Sequence, residues 1–160
     1  MKHSEIEAAP VSPSAESLPS LESQHAALRA LGEQLADVLD ALCRHPRIRT
    51  GRSDDRWLHE KLDEFRRVLF SHFDWEERSG LFAGVVAQAP RLAKQASGVM
   101  AEHGKLRGEV DGLIEENLRG AGERHVRDRF HRIRLRLVYH DYAESSLLQR
   151  AYLEDLGGGD

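Results

Sequence analysis

Six side chains of the kind that bind metal ions occupy positions where the helical patterns of this sequence would otherwise place buried leucines. An ionised carboxylate in an apolar core is very costly unless it is paired or bound to a metal. Imidazole nitrogens and carboxylate oxygens without sulfur suit iron or manganese. The six residues are His25, His72, Glu76, His103, His140 and Glu144. Their placement predicts a metal site inside the protein.

The spacing of these residues predicts that two helices contribute two ligands each. Glu76 follows His72 by four positions, and Glu144 follows His140 in the same way. Side chains four positions apart stack on one face of a helix, so both members of a pair can reach the same centre. Two further helices would each add one histidine.

The number of ligands favours a pair of metals over a single one. A lone zinc ion usually takes four ligands, fewer than the six groups available here. Two metals bridged by both carboxylates would use all six and leave a coordination position open for a small molecule. Leucines and valines lie one helical turn from the ligands. An apolar lining of this kind favours the binding of small uncharged molecules such as O2 or NO.

Apolar residues recur every three or four positions along four segments, which is the pattern of amphipathic helices. Helix A is expected to begin after Ser20, a favourable N-cap residue. Helix B is expected to begin near Ser53 or Asp54, to continue past Leu81 and to end before Pro90. The six ligand positions fall on the apolar stripes of these helices, so we expect all six to be buried.

Helix C should follow helix B directly, and helix D should carry the second histidine–glutamate pair. Four long helices with short connections predict an all-α fold, an antiparallel up-down-up-down four-helix bundle. His25 and His72 are nearly equidistant in sequence from the first loop, as are His103 and His140 from the last loop. At about 1.5 Å of rise per residue, this symmetry places the four histidines at one level of the bundle.

Length and composition favour a single domain with flexible ends. A chain of 160 residues is long enough for one well-packed core. Residues 1–19 are rich in proline and serine and are predicted to form a flexible N-terminal arm. Residues 20–156 are predicted to form the bundle, and residues 157–160 a disordered tail.

Charge and cysteine usage exclude several classes of protein. The net charge of -4 is mild and argues against a nucleic-acid partner. Cys43 is the only cysteine, so neither an internal disulfide nor a cysteine-rich zinc site is expected. No apolar stretch has the length of a signal-peptide core or a membrane span. We therefore expect a cytoplasmic protein without a membrane partner.

Four motifs in this sequence resemble those of the hemerythrin-like (HHE cation-binding) family. The motifs are HAALR at 25–29, HFDWEERSGLF at 72–82, EHGKLR at 102–107 and HDYAESSLL at 140–148. The resemblance extends over residues 20 to about 153. It implies a helical bundle that holds a non-haem di-iron centre.

The resemblance also implies a role for each matching residue. His25 and His72 would bind one iron. His103 and His140 would bind the other, and the two glutamates would bridge the irons together with an oxo or hydroxo group. The implied activity is binding of, or reaction with, O2, peroxide or NO. Such a protein would sense oxygen or oxidative stress, or would remove peroxide as a catalase-like or peroxidase-like enzyme.

Two positions depart from the pattern of the oxygen-carrying members of that family. Those proteins have a second histidine one turn after the helix C ligand, where this chain has Arg107. They also place an aspartate five residues after the helix D histidine, where this chain has Glu144 after four. The chain therefore resembles a variant with four histidines and two glutamates. This difference favours peroxide reaction, or oxygen or iron sensing, over reversible oxygen carriage.

An alternative of a different class is a metal-free helical bundle that acts as an interaction module. Helix D is strongly basic, so it could dock an acidic protein partner, although such a run usually forms a solvated face paired with acids of a neighbouring helix. The basic residues are Arg124, Arg127, Arg129, Arg132, Arg134 and Arg136.

Several residues near the motifs are expected to have no part in the metal site. His59 is expected at the surface. The other histidines lie off the apolar stripes or off the level of the ligands, and they are His3, His45, His125 and His131. Glu77 is expected to support a ligand from outside the coordination sphere or to face solvent. For Trp75, Tyr139 and Tyr142, packing is favoured over a hydrogen bond to a ligand or a part in redox steps.

Overall fold

The computed structural model describes residues 20–45 and 52–152, and these residues form helices without any strand. Four long helices and one short one follow each other, with a 3-10 turn at Pro90–Leu92. The helices are α1 (Leu21–Arg44), α2 (Arg52–Arg78), α3 (Leu81–Gln88), α4 (Ala93–Leu118) and α5 (Glu123–Tyr152). The prediction of an all-helical fold is confirmed for this part of the chain.

The start of α1 is set by a side-chain cap. Ser20 Oγ accepts a hydrogen bond from the backbone N–H of Ser23 at 3.2 Å. This bond satisfies one of the backbone donors that a helix leaves free at its N-terminus. Glu22 in the first turn adds a favourable interaction with the helix dipole. The predicted start of helix A is confirmed.

The continuous helix B expected from the sequence is wrong, because the chain turns between two helices. α2 ends at Arg78 and α3 begins at Leu81. Gly80 between them has a φ of 79°, a left-handed conformation that glycine adopts without steric penalty. Ser79 Oγ supports the turn, because it donates to the carbonyl of Glu76 at 3.0 Å and accepts from the N–H of Leu81 at 3.3 Å.

The four long helices pack side by side as a bundle. α1 contacts α2 and α5, and α4 contacts the same two helices. The short α3 contacts α2, α4 and α5. The turn at Gly80 therefore allows α3 to add a further set of apolar contacts.

Apolar side chains form two clusters, and the predicted ligands lie between them. The larger cluster draws on all four long helices and includes Leu62, Phe65 and Phe130, which are at most 1% exposed. The smaller cluster joins α3 to α4 and α5 and includes Phe82 and Leu147. Burial of both clusters supplies the main driving force for folding.

The order of residues along two helices shows how a polar layer arises between the clusters. On α4, Val99 belongs to the smaller cluster and Leu106 to the larger, with His103 between them. On α5, Leu137 and Leu147 flank the histidine–glutamate pair in the same way. Because helical side chains three or four positions apart share a face, the ligands are buried together with the leucines.

The predicted domain boundaries remain predictions. Residues 1–19 and 157–160, for which an arm and a tail are predicted, lie outside the described residues. The bundle predicted for residues 20–156 is described as far as Tyr152. None of the helices formed by the described residues combines the length and the apolar character that a membrane crossing requires.

Candidate metal centre

The structure brings the six predicted ligands together in the layer between the two apolar clusters. α1 and α4 contribute one histidine each, whereas α2 and α5 contribute a histidine and a glutamate each. All six residues are at most 6% exposed, and both glutamates are fully buried. The four-residue spacing within each pair turns the histidine and the glutamate to the same side of their helix.

Four of the six side chains form one group, whose ligand atoms all lie within 4.8 Å of one another. His25 Nε2 lies 3.0 Å from His72 Nε2 and 3.3 Å from Glu144 Oε2. Glu76 Oε1 lies 2.8 Å from His72 Nε2. Three helices, α1, α2 and α5, thus direct nitrogen and oxygen atoms to one point.

A second group shares one residue with the first. The ligand atoms of Glu76, His103 and His140 also lie within 4.8 Å of one another. Glu76 Oε2 lies 3.1 Å from His103 Nε2, so the two oxygens of this carboxylate face different groups. The rings of His103 and His140 meet edge to face, with centroids 4.9 Å apart. In this arrangement one carboxylate can serve two metal ions.

Most polar atoms of the layer lack a hydrogen-bond partner among the described residues. Both oxygens of Glu76 and of Glu144 are buried without one, as are His103 Nε2 and both ring nitrogens of His140. The short distances to the two carboxylates are therefore close approaches without hydrogen-bond geometry, whereas the 3.0 Å contact between His25 Nε2 and His72 Nε2 is a hydrogen bond. Buried polar groups are almost always satisfied, and the donor set is the one that iron or manganese would satisfy. The residues fit a metal.

Two side chains other than the six ligands contact Nδ1 of His72 and of His103, the ring nitrogen that faces away from the site (called the outer nitrogen below). His72 Nδ1 lies 3.2 Å from Gln24 Oε1, and His103 Nδ1 lies 2.9 Å from Glu77 Oε1. Because these oxygens accept, each Nδ1 donates and each Nε2 turns its lone pair towards the site. Glu77 thus takes the first of the two positions expected for it. Sequence reasoning misses Gln24, whose only signal is its place next to His25.

The electrostatics of the layer depend mainly on the protonation of His25. Burial lowers the pKa of His25, but contacts with Glu144 and Glu76 outweigh this effect and raise the pKa to about 10. Burial raises the pKa of Glu76, yet its contacts with three histidines hold that pKa well below its usual range. A proton on His25 between two carboxylates supplies the positive charge that a metal cation would otherwise bring.

Burial dominates on the side of the site formed by α5. It lowers the pKa of His140 to about 4, and the neighbouring His103 adds to this shift. It also raises the pKa of Glu144. His140 is therefore neutral at neutral pH, which is the form in which imidazole binds metals.

The other histidines stand apart from both groups. His45 and His125 are exposed. His59, for which a surface position is predicted, is half-buried, and its Nδ1 has no partner among the described residues. His131 is also half-buried. His3 lies outside the described residues.

Acidic neighbours pair with basic residues of α5. Arg129 lies 3.1 Å from Glu116, and Arg136 lies 2.7 Å from Glu102, with both acids on α4. These pairs are the ones expected of a solvated face. Docking of an acidic protein partner stays a prediction.

The aromatic residues near the ligands differ in burial. Trp75 is half-buried, but Tyr139 and Tyr142 are 66% and 74% exposed, so the packing predicted for these two is wrong. The two tyrosines line a cavity of about 600 Å³ between α4 and α5, together with His140. This cavity brings open space to the edge of the candidate site.

Comparison with known protein families gives a match. The family model described as hemerythrin HHE cation binding domain matches residues 17–152, a stretch that contains all six candidate ligands. No curated protein and no solved structure matches the chain.

Proposed function

Because this chain belongs to the hemerythrin HHE cation-binding family, we propose that its six buried donors hold two iron ions. The iron pair would bind or react with a small ligand such as O2, peroxide or NO. The observation that carries the proposal is the carboxylate of Glu76, whose two oxygens face two different groups of imidazoles. Helical bundles with carboxylate-bridged di-iron centres are a known class.

In this proposal, the two groups of donors would divide the histidines between the irons. His25 and His72 would hold one iron, and His103 and His140 the other. Glu76 and Glu144 would bridge the two. An iron pair in such a site supplies redox chemistry and a position at which a small molecule binds.

The surrounding side chains of this chain would keep the site dry. Phe73 is fully buried and stacks on the ring of His103, with centroids 4.1 Å apart and an angle of 10° between the planes. Phe82 packs on the same ring from the smaller cluster, at 6.0 Å. These apolar contacts would admit O2, NO or peroxide more readily than larger charged molecules. The cavity beside His140 offers such a ligand a route from solvent.

An antiparallel up-down-up-down arrangement is part of this proposal, and pairs of residues along the helices support it. The start of α1 meets the end of α5 through Arg29 and Asp141, at 3.6 Å. The end of α1 meets the start of α5 through Asp40 and His131, at 3.2 Å. Such pairing is expected of neighbouring helices that run in opposite directions.

The physiological role that we propose is a response to oxygen or oxidative stress in the cytoplasm, either by sensing or by removal of peroxide. The departures at Arg107 and Glu144 from the oxygen-carrier pattern favour these roles over reversible carriage.

Elemental analysis and an optical spectrum of the purified protein test the metal part of the proposal. We expect two irons per chain and near-ultraviolet absorption of an oxo-bridged pair that changes on addition of peroxide. A stable protein that takes up no metal would contradict the proposal and would favour the interaction-module alternative.

Stopped-flow mixing of the reduced, iron-loaded protein with peroxide separates the roles. Repeated consumption of peroxide would identify an enzyme. A single stoichiometric oxidation would exclude catalase-like turnover and leave sensing, or storage of oxygen or iron, as the role.

A further inference from the structure

A charged network at the surface of the bundle reaches the buried ring of His103. Glu77 Oε1 lies 2.9 Å from His103 Nδ1, and the same oxygen accepts a hydrogen bond from Arg107 Nη1 at 2.8 Å. Arg107 Nη2 donates to Asp74 Oδ1 at 2.8 Å. The ring of His103 is fully buried, whereas the side chains of Glu77 and Arg107 are 32% and 24% exposed. The network therefore connects partly solvated charges to a buried imidazole.

Packing holds the guanidinium of this network in one place. Arg107 lies one helical turn after His103 on α4, and both of its acidic partners lie on α2. The guanidinium also lies over the rings of Phe70 and Phe73, 5.8 and 5.5 Å from their centroids. Two hydrogen bonds and two cation–π contacts fix its orientation.

The histidines of the site differ in what their outer nitrogens meet. His103 Nδ1 meets an anionic carboxylate, and His72 Nδ1 meets the neutral amide of Gln24. His140 Nδ1 has no hydrogen-bond partner among the described residues. A carboxylate that accepts from an imidazole N–H fixes the tautomer and increases the electron donation of the opposite nitrogen. His103 thus has an outer partner that these two other histidines lack.

We propose that Glu77 is a positioning residue, which makes His103 the most strongly donating of these three imidazoles, and that Arg107 sets how much of the negative charge of Glu77 acts on the ring. The inference rests on the proposed function, because it concerns the tuning of the metal held by His103. It assigns opposite effects to two residues that touch each other. Glu77 favours the more positive, oxidised state of that metal, and Arg107 opposes Glu77.

The test uses the full-length, iron-loaded protein and the variants Glu77→Gln and Arg107→Met. We expect Glu77→Gln to weaken Fe²⁺ binding by roughly 10- to 100-fold, the range measured for such outer partners. We expect it to raise the midpoint potential, because less negative charge remains to stabilise the oxidised metal. Arg107→Met should lower the potential, because the charge of Glu77 is then no longer offset. If Glu77 and Arg107 only stabilised the fold, the two variants would not shift the midpoint potential in opposite directions.

A matched control is Asp74→Asn, because Asp74 contacts the same guanidinium but not His103. We expect this variant to change Fe²⁺ affinity much less than Glu77→Gln does. A second readout is the exchange rate of the histidine ring N–H protons in the Co²⁺-loaded protein. The His103 proton should exchange slowly in the wild type and faster in Glu77→Ala.

Two results would overturn the inference while leaving the proposed function intact. One is a shift of potential in the same direction in Glu77→Gln and Arg107→Met. The other is an Fe²⁺ affinity of Glu77→Gln equal to that of Asp74→Asn. A wild-type protein that binds no metal would refute the inference and the proposed function together.

Discussion

The larger apolar cluster and the layer of six candidate ligands lie on the same helices, yet the two regions are built in opposite ways. In the cluster, the rings of Phe65 and Phe130 meet edge to face with centroids 5.1 Å apart. In the layer, the carboxylates of Glu76 and Glu144 are equally buried but lack hydrogen bonds among the described residues. The cluster contributes packing, whereas the layer leaves polar atoms without partners.

The difference indicates that the cluster stabilises the fold and that the unpartnered polar atoms of the layer oppose it until a metal binds. An unsatisfied buried polar group costs about 1–3 kcal/mol. Burial of apolar side chains in the cluster has to offset this cost in the metal-free protein. A metal that binds only the folded state would add stability by mass action.

The largest effect is expected from Glu76→Ala, which removes the residue shared by both donor groups. We expect iron content to fall from two per chain to nearly none, because each group loses a ligand and the bridge is lost. Iron analysis of the purified variant measures this, and His72→Ala should also lose iron.

A matched control for that loss is His59→Ala, which removes a half-buried histidine outside both groups. This variant should keep its full iron content. Full iron content in Glu76→Ala and in His72→Ala would refute the assignment of ligands.

The next effect concerns stability and leaves the metal in place. Leu62→Ala truncates a side chain of the larger cluster that is 1% exposed. We expect the free energy of unfolding to fall by about 2–5 kcal/mol, the usual range for such a deletion in a core. Urea unfolding measures it. Iron content of the folded variant should not change, and a loss of iron equal to that of Glu76→Ala would contradict the separation of the two regions.

The layer of ligands can be predicted from the sequence because the periodic pattern indicates both the burial and the spacing of the ligand residues. His72 and Glu76 continue the stripe of Leu62 and Leu69 at steps of three or four, so helical geometry alone buries them on the face of the leucines. Burial of an ionised carboxylate such as that of Glu76 is very costly unless the carboxylate is paired or bound to a metal, so the pattern predicts a metal site. This prediction needs no knowledge of the contacts between helices.

The sequence predicts less where an outcome depends on contacts between helices. Gly80 is tolerated inside a helix at a cost of about 1 kcal/mol, so helical periodicity alone does not reveal the turn there. Gln24 and Arg107 reach side chains on α2, and such partners depend on how each helix is rotated about its axis. Periodicity along a single helix does not determine that rotation.

A smaller effect, opposite in sign, is expected from His140→Leu in the metal-free protein. Both ring nitrogens of His140 are buried without partners among the described residues. Leucine has a similar volume and no polar atom, so we expect the unfolding free energy to rise by roughly 1–3 kcal/mol. Urea unfolding of the metal-free variant and wild type measures this. The variant should also gain less stability from Fe²⁺, and a destabilised metal-free variant would show that His140 is satisfied in the fold.

The last effect is a dependence of metal-free stability on pH, to which two histidines contribute with opposite signs. The pKa of His25 is raised to about 10 in the fold, so its stabilising contribution is present below about pH 6.5 and is lost as pH rises towards 10. The pKa of His140 is lowered to about 4 in the fold, so as pH falls its imidazole becomes protonated in the unfolded chain before it does in the folded protein. Stability is then lost as pH falls from about 6.5 towards 4.

From these two groups, the unfolding free energy of the metal-free protein should be greatest near pH 6.5, about the pKa of an unperturbed histidine. Urea unfolding at about pH 5, 6.5 and 9 measures the profile. His140→Leu should flatten its acidic side and His25→Leu its alkaline side, because each variant removes one of the two protons. Loss of both sides in a single variant would mean that the two histidines titrate as one unit, and the layer would then act as a single charged network instead of two donor groups that share Glu76.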